Sequence, residues 1–221
     1  MKLSDETVSV LKNYSTINQN LMIKSGQALT TMSAMKNIVA KSTVAENFER
    51  DIAIYDLNEF LSILSTYDDV DIEFCESFLI LREGNKNTSY PYSDPSVVTS
   101  VTKDITMPEC EVKFSLSTDI LSSIQKMSAI TGAPDMVLEK GELKVTDKKN
   151  DNAVTHTECL FNDDKDDVDY KFWFKVENLK LLPGTYDVSV SSKRISHFKN
   201  TNVDIEYFIA LEPESYFKSD S

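Results

Sequence analysis

Apolar residues recur every three to four positions at the start of the chain. Thr7, Val10, Leu11, Tyr14 and Ile17 fall on one arc, which predicts a helix from Leu3 onward with Ser4 as its N-cap and acids in its first turn. The other face is small and polar: Asp5, Ser9, Lys12, Asn13 and Thr16. After Asn18-Gln19-Asn20 the period drops to two, and Leu21 to Lys24 and Ala28 to Met32 read as a hairpin about the turn Ser25-Gly26-Gln27. Strands are expected at Ile38 to Phe48 and Asp51 to Tyr55. Asp56 then caps a short helix with Leu57, Phe60, Leu61 and Leu64 inward and Asn58, Ser62 and Ser65 outward. Val70 to Phe74, Phe78 to Leu81 and Lys86 to Pro91 read as further strands.

The pattern breaks between Tyr92 and Glu109, where Ser93-Asp94-Pro95-Ser96 and Met107-Pro108 bracket a stretch without period. Beyond it the order returns. Leu116-Ser117-Thr118-Asp119 opens a helix as Leu3-Ser4-Asp5 did, with Ile120, Leu121, Ile124 and Met127 inward and Ser122, Gln125, Lys126 and Ala129 outward. Met136 to Glu139 turns at Lys140-Gly141-Glu142 into Leu143 to Val145, read as the counterpart of the Gly26 turn. Strands follow at Ala153 to Leu160 and Tyr170 to Phe174. Val176, Leu179 and Leu182 form a short helical stripe stopped by Pro183-Gly184, and Tyr186 to Val190 echoes Val70 to Phe74. Each half therefore reads helix, strands, helix, strands. The expected fold is α+β, a tandem duplication with helices on one face of antiparallel sheets. The expected domains are residues 1–92 and 110–221, joined by a connector at 93–109.

Composition narrows the function. The 221 residues carry 23 Lys+Arg against 36 Asp+Glu, a formal charge of −13 that argues against a large exposed basic surface. No apolar run approaches the roughly 18 residues of a membrane helix. Cys75, Cys110 and Cys159 are far apart and odd in number, which fits free thiols in a reducing, cytoplasmic compartment. The five glycines are isolated, so GxGxxG, P-loop and GxSxG motifs are all missing. His156 and Glu158 share one strand face, but a metal would need ligands from elsewhere, and the only other histidine is His197. The acidic run Asn162 to Asp169 lacks the central glycine and closing glutamate of a calcium loop and reads as a solvated connection. Asp68-Asp69 falls at a turn. No catalytic constellation, cofactor or metal is expected.

If several such domains closed into a ring with the helices inside, Lys12, Lys126, Lys175 and Lys180 would give the hole a dilute positive lining, and the rest of the chain would leave the outside acidic. Duplex DNA carries a charge about every 1.7 Å, so a few lysines per subunit would centre it without fixing a sequence. The same lysines also fit ordinary solvated positions.

A resemblance favours the first reading. Met1-Lys2-Leu3-Ser4 with Leu11-Lys12-Asn13, Lys24-Ser25-Gly26-Gln27, Ala53 to Asn58 with Phe60-Leu61 and Ile63-Leu64, Asp94-Pro95-Ser96, Pro183-Gly184-Thr185-Tyr186 and Ala210-Leu211-Glu212 resemble, in order and spacing, the sliding clamps of T-even-type bacteriophages. The resemblance implies a non-enzymatic DNA polymerase processivity factor: a homotrimeric ring that encircles duplex DNA and is opened by an ATP-dependent clamp loader. It also implies that the replicative polymerase docks a C-terminal peptide in an apolar pocket, and that the late-transcription machinery uses the same ring. Subunits of the family join by pairing edge strands. Here those strands are Lys86 to Pro91, with Tyr90 before the proline, and Val154 to Leu160, with His156 between them. The DNA-facing residues expected are Lys2, Lys12, Lys126, Lys175 and Lys180, and the pocket residues Val97, Val98, Ile105, Phe208, Leu211 and Pro213. The helix at Thr118 to Ile130 carries one lysine and that at Asp56 to Ser65 none, fewer than the family tends to have. An acidic DNA mimic that binds DNA-binding proteins is the alternative reading, and a hydrolase with an unrecognised site is a remote third.

Overall fold

The computed structural model describes residues 1–101, 104–161 and 168–219. The run Asn162 to Asp167, read above as an acidic loop, lies outside the described residues. The chain divides into two units, Met1–Asp104 and Ile105–Ser221.

In the first unit, helix α1 (Asp5–Ile17) starts where Ser4 Oγ accepts the Thr7 amide, and it buries Thr7, Val10, Leu11, Tyr14 and Ile17. Each large apolar side chain so buried contributes roughly 1.5–3 kcal/mol. The floor under α1 is strand β3 (Ile38–Phe48), whose alternate residues Ser42, Val44, Glu46 and Phe48 are buried. Two polar ties fix the helix to it. Tyr14 Oη donates to Leu29 O and Ser42 Oγ at 3.1 and 3.0 Å. The Glu46 carboxylate accepts from the Ser4 amide and the Thr7 hydroxyl, so a strand side chain satisfies donors that a helix start leaves open.

Burial works to raise the Glu46 carboxyl, but hydrogen bonds from Thr7 and Ser4 outweigh it and hold the group below the ordinary glutamate value of 4.5. A depressed carboxylate stabilises the fold above its unfolded value and loses that contribution as pH falls through the folded one. The melting temperature is therefore expected to drop below about pH 4.5, and Glu46→Gln to flatten that part of the profile. An unchanged slope in the variant would show that other carboxylates carry the effect.

The expected hairpin of Leu21 to Lys24 with Ala28 to Met32 does not form. Strand β1 (Leu21–Ile23) pairs with β4 (Ile52–Ile54), while β2 (Gly26–Met32) pairs with β3. All three residues of β1 and all three of β4 are buried, whereas β2 and β3 alternate. The short gap at Ser25-Gly26-Gln27 therefore joins two strands that belong to different ladders, and proximity in sequence does not set the partner. Helix α2 (Leu57–Leu64) is capped by Asp56 and buries Leu57, Phe60, Leu61 and Leu64, as the periodicity implies. Strands β5 (Asp71–Phe74), β6 (Phe78–Glu83) and β7 (Lys86–Pro91) form a three-stranded sheet in that order, with β7 at its edge.

The second unit repeats several of these pairings. Strand β8 (Val112–Leu116), which no periodicity announced, precedes α3 (Thr118–Thr131). The α3 helix is capped by Ser117 and ended by Gly132 in the left-handed region. Strands β9 (Asp135–Glu139) and β10 (Glu142–Thr146) form the expected hairpin. Its turn residues Lys140 and Gly141 both have positive φ, 49° and 73°, as a type I′ turn requires. With β11 (His156–Cys159), β12 (Val168–Lys175) and β16 (Tyr216–Ser219) they make a sheet of order β11-β10-β9-β12-β16. Strands β13 (Tyr186–Ser191), β14 (Ile195–Asn200) and β15 (Ile205–Ala210) pair in series, with β8 beside β13. Thus β9 with β12, β10 with β11, and β13-β14-β15 reproduce β1 with β4, β2 with β3, and β5-β6-β7.

The second helix does not repeat. The stripe Val176, Leu179 and Leu182 is a single 3-10 turn, Val176–Asn178, and the buried leucines are Leu179 and Leu181. Its N-cap, Lys175, makes no side-chain cap, and Pro183 follows seven residues after Val176. Such a segment cannot offset the cost of helix nucleation.

Candidate functional site

Three features bear on the expected sites: the polar helix faces, the free sheet edges, and the apolar residues near the connector. On α1, Asp5, Ser9, Lys12 and Thr16 are exposed; on α3, Ser122, Gln125, Lys126 and Ala129 are exposed. The α2 face, Asn58, Glu59, Ser62 and Ser65, offers no cation. Lys2 and Lys12 line one recess of about 230 Å³ between α1 and α2, together with Asp5, Asp68 and Asp69. Within it Lys2 Nζ binds both Asp69 oxygens at 2.6 Å, and that hydrogen bond raises the lysine above its ordinary value. In the second unit, Gln125 Nε2 donates to Leu179 O at 3.0 Å, which sets Lys180 beside α3.

Lys175 does not join them. Strand alternation fixes which residues face α3: Ser123 of that helix binds His156 and Glu158, and the register carries the same face through Val145 and Leu143, Met136 and Leu138, to Phe174 and Phe172. Lys175 lies on the opposite face, opposite Asp135 in the ladder, where its ammonium binds the buried Asp135 carboxylate. It serves there as the counter-ion of Asp135, on the face of the sheet away from α3. Beside it, Lys148 Nζ lies 3.2 Å from both Glu212 and Glu214. This network escaped the sequence reading because its members are far apart along the chain.

The edges are free. Leu160 N–H donates to Gly141 O at 2.9 Å, so in the β10–β11 ladder the amides of His156, Glu158 and Leu160 point inward and those of Thr157 and Cys159 point out. On β7, Tyr92 N–H donates to Ser77 O at 3.0 Å, which turns Thr88 and Tyr90 inward and leaves the Asn87 and Ser89 amides outward. Pro91 takes the next outward position, where a missing N–H breaks nothing within the sheet. The Tyr90 side chain does not face out from this edge. It is buried, edge-on to Phe60 at 5.4 Å, with its hydroxyl on Asp56 O. The second expected strand is shorter than Val154 to Leu160: Val154 precedes it and is 63% exposed, and Leu160 follows it half-buried.

His156, Ser123 and Glu158 invite comparison with a hydrolytic triad, but the geometry is wrong for one. Ser123 Oγ and Glu158 Oε1 both lie 3.0 Å from the same ring atom, His156 Nε2, and the serine hydroxyl donates to the carboxylate. A triad places nucleophile and acid on opposite ring nitrogens. The Ser123 hydroxyl, followed by His156, holds Glu158 below the usual carboxylate range. Asp68 and Asp69 serve the chain itself, their amides both donating to Glu83 Oε1. Among the described residues no group of three or more His, Cys, Asp or Glu could hold a metal ion, and no helix is long and apolar enough to cross a membrane.

Of the pocket residues in the first unit, Val97 is 54% exposed, whereas Val98 packs with Met22 and Ala53. In the second, Ile105 is half-buried and Pro213 exposed, but Phe208 is buried and stacked on His197 at 4.8 Å, and Leu211 is buried. Val98, Phe208 and Leu211 are thus buried, whereas Val97 and Pro213 are exposed. Burial raises the Cys110 thiol, which donates to Pro108 O at 3.3 Å, so that cysteine is a packed group and not an activated one.

This two-unit α+β architecture is that of the sliding clamps of cellular replication. The proliferating cell nuclear antigen of Entamoeba histolytica superposes with a TM-score of 0.68 over 96% of this chain and 97% of its own, at 16% identity. The A. fulgidus protein, solved with the C-terminal region of FEN-1, gives 0.71 over 97% and 98%, at 13% identity. The sequence comparisons are more specific. A model described as DNA polymerase processivity factor matches residues 4–99, and one described as gp45 sliding clamp, C terminal, matches residues 114–213. The sliding clamp of Vibrio phage KVP40 is 30% identical, covering 96% of this chain and 99% of its own. That of Enterobacteria phage T4 is 29% identical over 97% and 98%. The chain belongs to the phage sliding-clamp family of DNA polymerase processivity factors. The DNA-mimic reading finds no support among these relatives.

Proposed function

We propose that three copies close into a ring around duplex DNA and tether the replicative polymerase, after an ATP-dependent loader has opened the ring. The observation that carries the reading is a matched pair of sheet edges, β7 in the first unit and β11 in the second, each of which offers two outward amides with no partner in its own sheet. Head-to-tail closure joins two different surfaces, and β7 with β11 supplies such a pair. The pairing that satisfies all four donors is antiparallel, with Ser89 opposite Thr157 and Asn87 opposite Cys159. It sets Tyr90 opposite His156, so α2 of one copy and α3 of the next share one face of a continuous sheet. A shift by one residue would put those helices on opposite faces.

In this ring Lys2, Lys12, Lys126 and Lys180 face the DNA, and the −13 charge of the chain keeps the contact weak enough to slide. The polymerase peptide docks on exposed apolar side chains, with Val97 the candidate in the first unit and Pro213 in the second, and late-transcription factors compete with it. The protein acts as a tether and not as an enzyme, converting each re-encounter of polymerase and template into an intramolecular event. It would work in the host cytoplasm, where its thiols stay reduced. Light scattering is expected to give a particle of three chains, and loaded protein to persist on circular DNA but run off linear DNA of the same sequence. A monomer at micromolar concentration, or equal residence on both DNAs, would refute the reading.

A further inference from the structure

Five large apolar side chains are exposed among the described residues: Met35, Tyr55, Val97, Ile130 and Val154. Ile130 and Val154, 67% and 63% exposed, belong together. Both line an open recess of about 430 Å³ formed by the C-terminal end of α3 and the loop leading into β11. Gly132, Ala133 and Ala153 complete its apolar part, Thr131, Asn150 and Asn152 give it a polar rim, and Asp147 is its one ionisable group among the described residues. It adjoins the His156 end of the free edge. Tyr55, 59% exposed, stands at the matching end of the other edge. It immediately precedes Asp56, whose carbonyl accepts the Tyr90 hydroxyl and so sets the start of α2 over the last residues of β7.

We infer that the Tyr55 ring of one copy fills the Ile130–Val154 recess of the next, as an apolar lock on the helix side of the subunit joint. The inference rests on the edge pairing proposed above and adds to it an occupant and a place. Three constraints converge on that occupant. Antiparallel pairing with Tyr90 opposite His156 brings the Tyr55 end of one edge to the Val154 end of the other. Tyr90 points to the α2 side of its sheet and His156 to the α3 side, so Tyr55 and Ile130 lie on the same side of the joint. The approach also places the N-terminus of α2 near the C-terminus of α3, where the two helix dipoles attract. Main-chain pairing supplies strength without selectivity, because any free edge can pair with any other. A tyrosine ring set against Ile130 and Val154, with its hydroxyl toward the polar rim, supplies register.

The test uses the full-length protein with sedimentation as readout. Tyr55→Glu and Ile130→Glu alter side chains exposed in the single chain, so both variants are expected to melt as the parent does, while each raises the concentration of half-dissociation by roughly tenfold or more. The double variant Tyr55→Glu/Ile130→Lys, which offers an ion pair at the same place, is expected to recover part of that loss. A parent protein that never assembles would sink the ring itself. A parent that assembles, is dispersed by a break in the β11 edge, and yet tolerates both glutamates would leave the ring standing and overturn the lock alone.

Discussion

Thr157→Pro is expected to leave the single chain folded and to disperse the assembled ring, with processive synthesis falling to that of the polymerase alone. The amide of Thr157 points away from its own sheet, so proline removes no hydrogen bond within the β10–β11 ladder. Edge strands tolerate proline there, and the restriction it places on His156 favours the extended backbone that residue already has. Across the joint the effect is different. One donor is lost, a carbonyl of the partner strand is left unsatisfied, and ring methylenes occupy the space the strand must enter. Together these cost about 2–4 kcal/mol per joint, or roughly a 30- to 1,000-fold weaker association. Particle mass by light scattering and product length on a singly primed circular template would both report it. A trimer of normal stability would show that β11 is not the joined edge.

Lys175→Met is expected to have the second largest effect, and on a different quantity. Asp135 is 1% exposed, and its carboxylate also accepts the Lys148 amide at 3.1 Å. Removing the ammonium strands a buried charge, for which about 3 kcal/mol of lost stability is a reasonable expectation. Denaturant unfolding would measure it. Residence on circular DNA, measured with folded protein, should not change, whereas Lys12→Glu with Lys126→Glu should shorten residence or slow loading and leave unfolding nearly untouched. A reversal of the two patterns would return Lys175 to the DNA-facing set. The sign of a lysine's contribution thus depends on which side of a strand it occupies, which composition does not reveal.

Much of this was legible one residue at a time. The apolar arc of α1, the Asp56 cap of α2, the Ser117 cap of α3 and the Lys140-Gly141 turn are local, and each depends on neighbours within about four positions. The same locality explains the failures. The gap between β1 and β2 is short enough for a hairpin, but β1 pairs with β4 and β2 with β3, partners that no local signal names. The stripe from Val176 to Leu182 had helical spacing without the length or cap to nucleate a helix. Phe208 and Leu211 are apolar in the same way whether they line a pocket or pack within their unit.

Periodicity, caps and turn residues by themselves determined that the chain is a duplicated α+β protein whose helices each present one small, polar face, because those signals are short-range and repeat in order. Only the tertiary structure decided which strands lie at the edges, which amides point outward and which lysine is already neutralised by a buried carboxylate. Those facts arise when segments far apart in the chain come together, and hydrogen bonding and burial then leave some groups satisfied and others free.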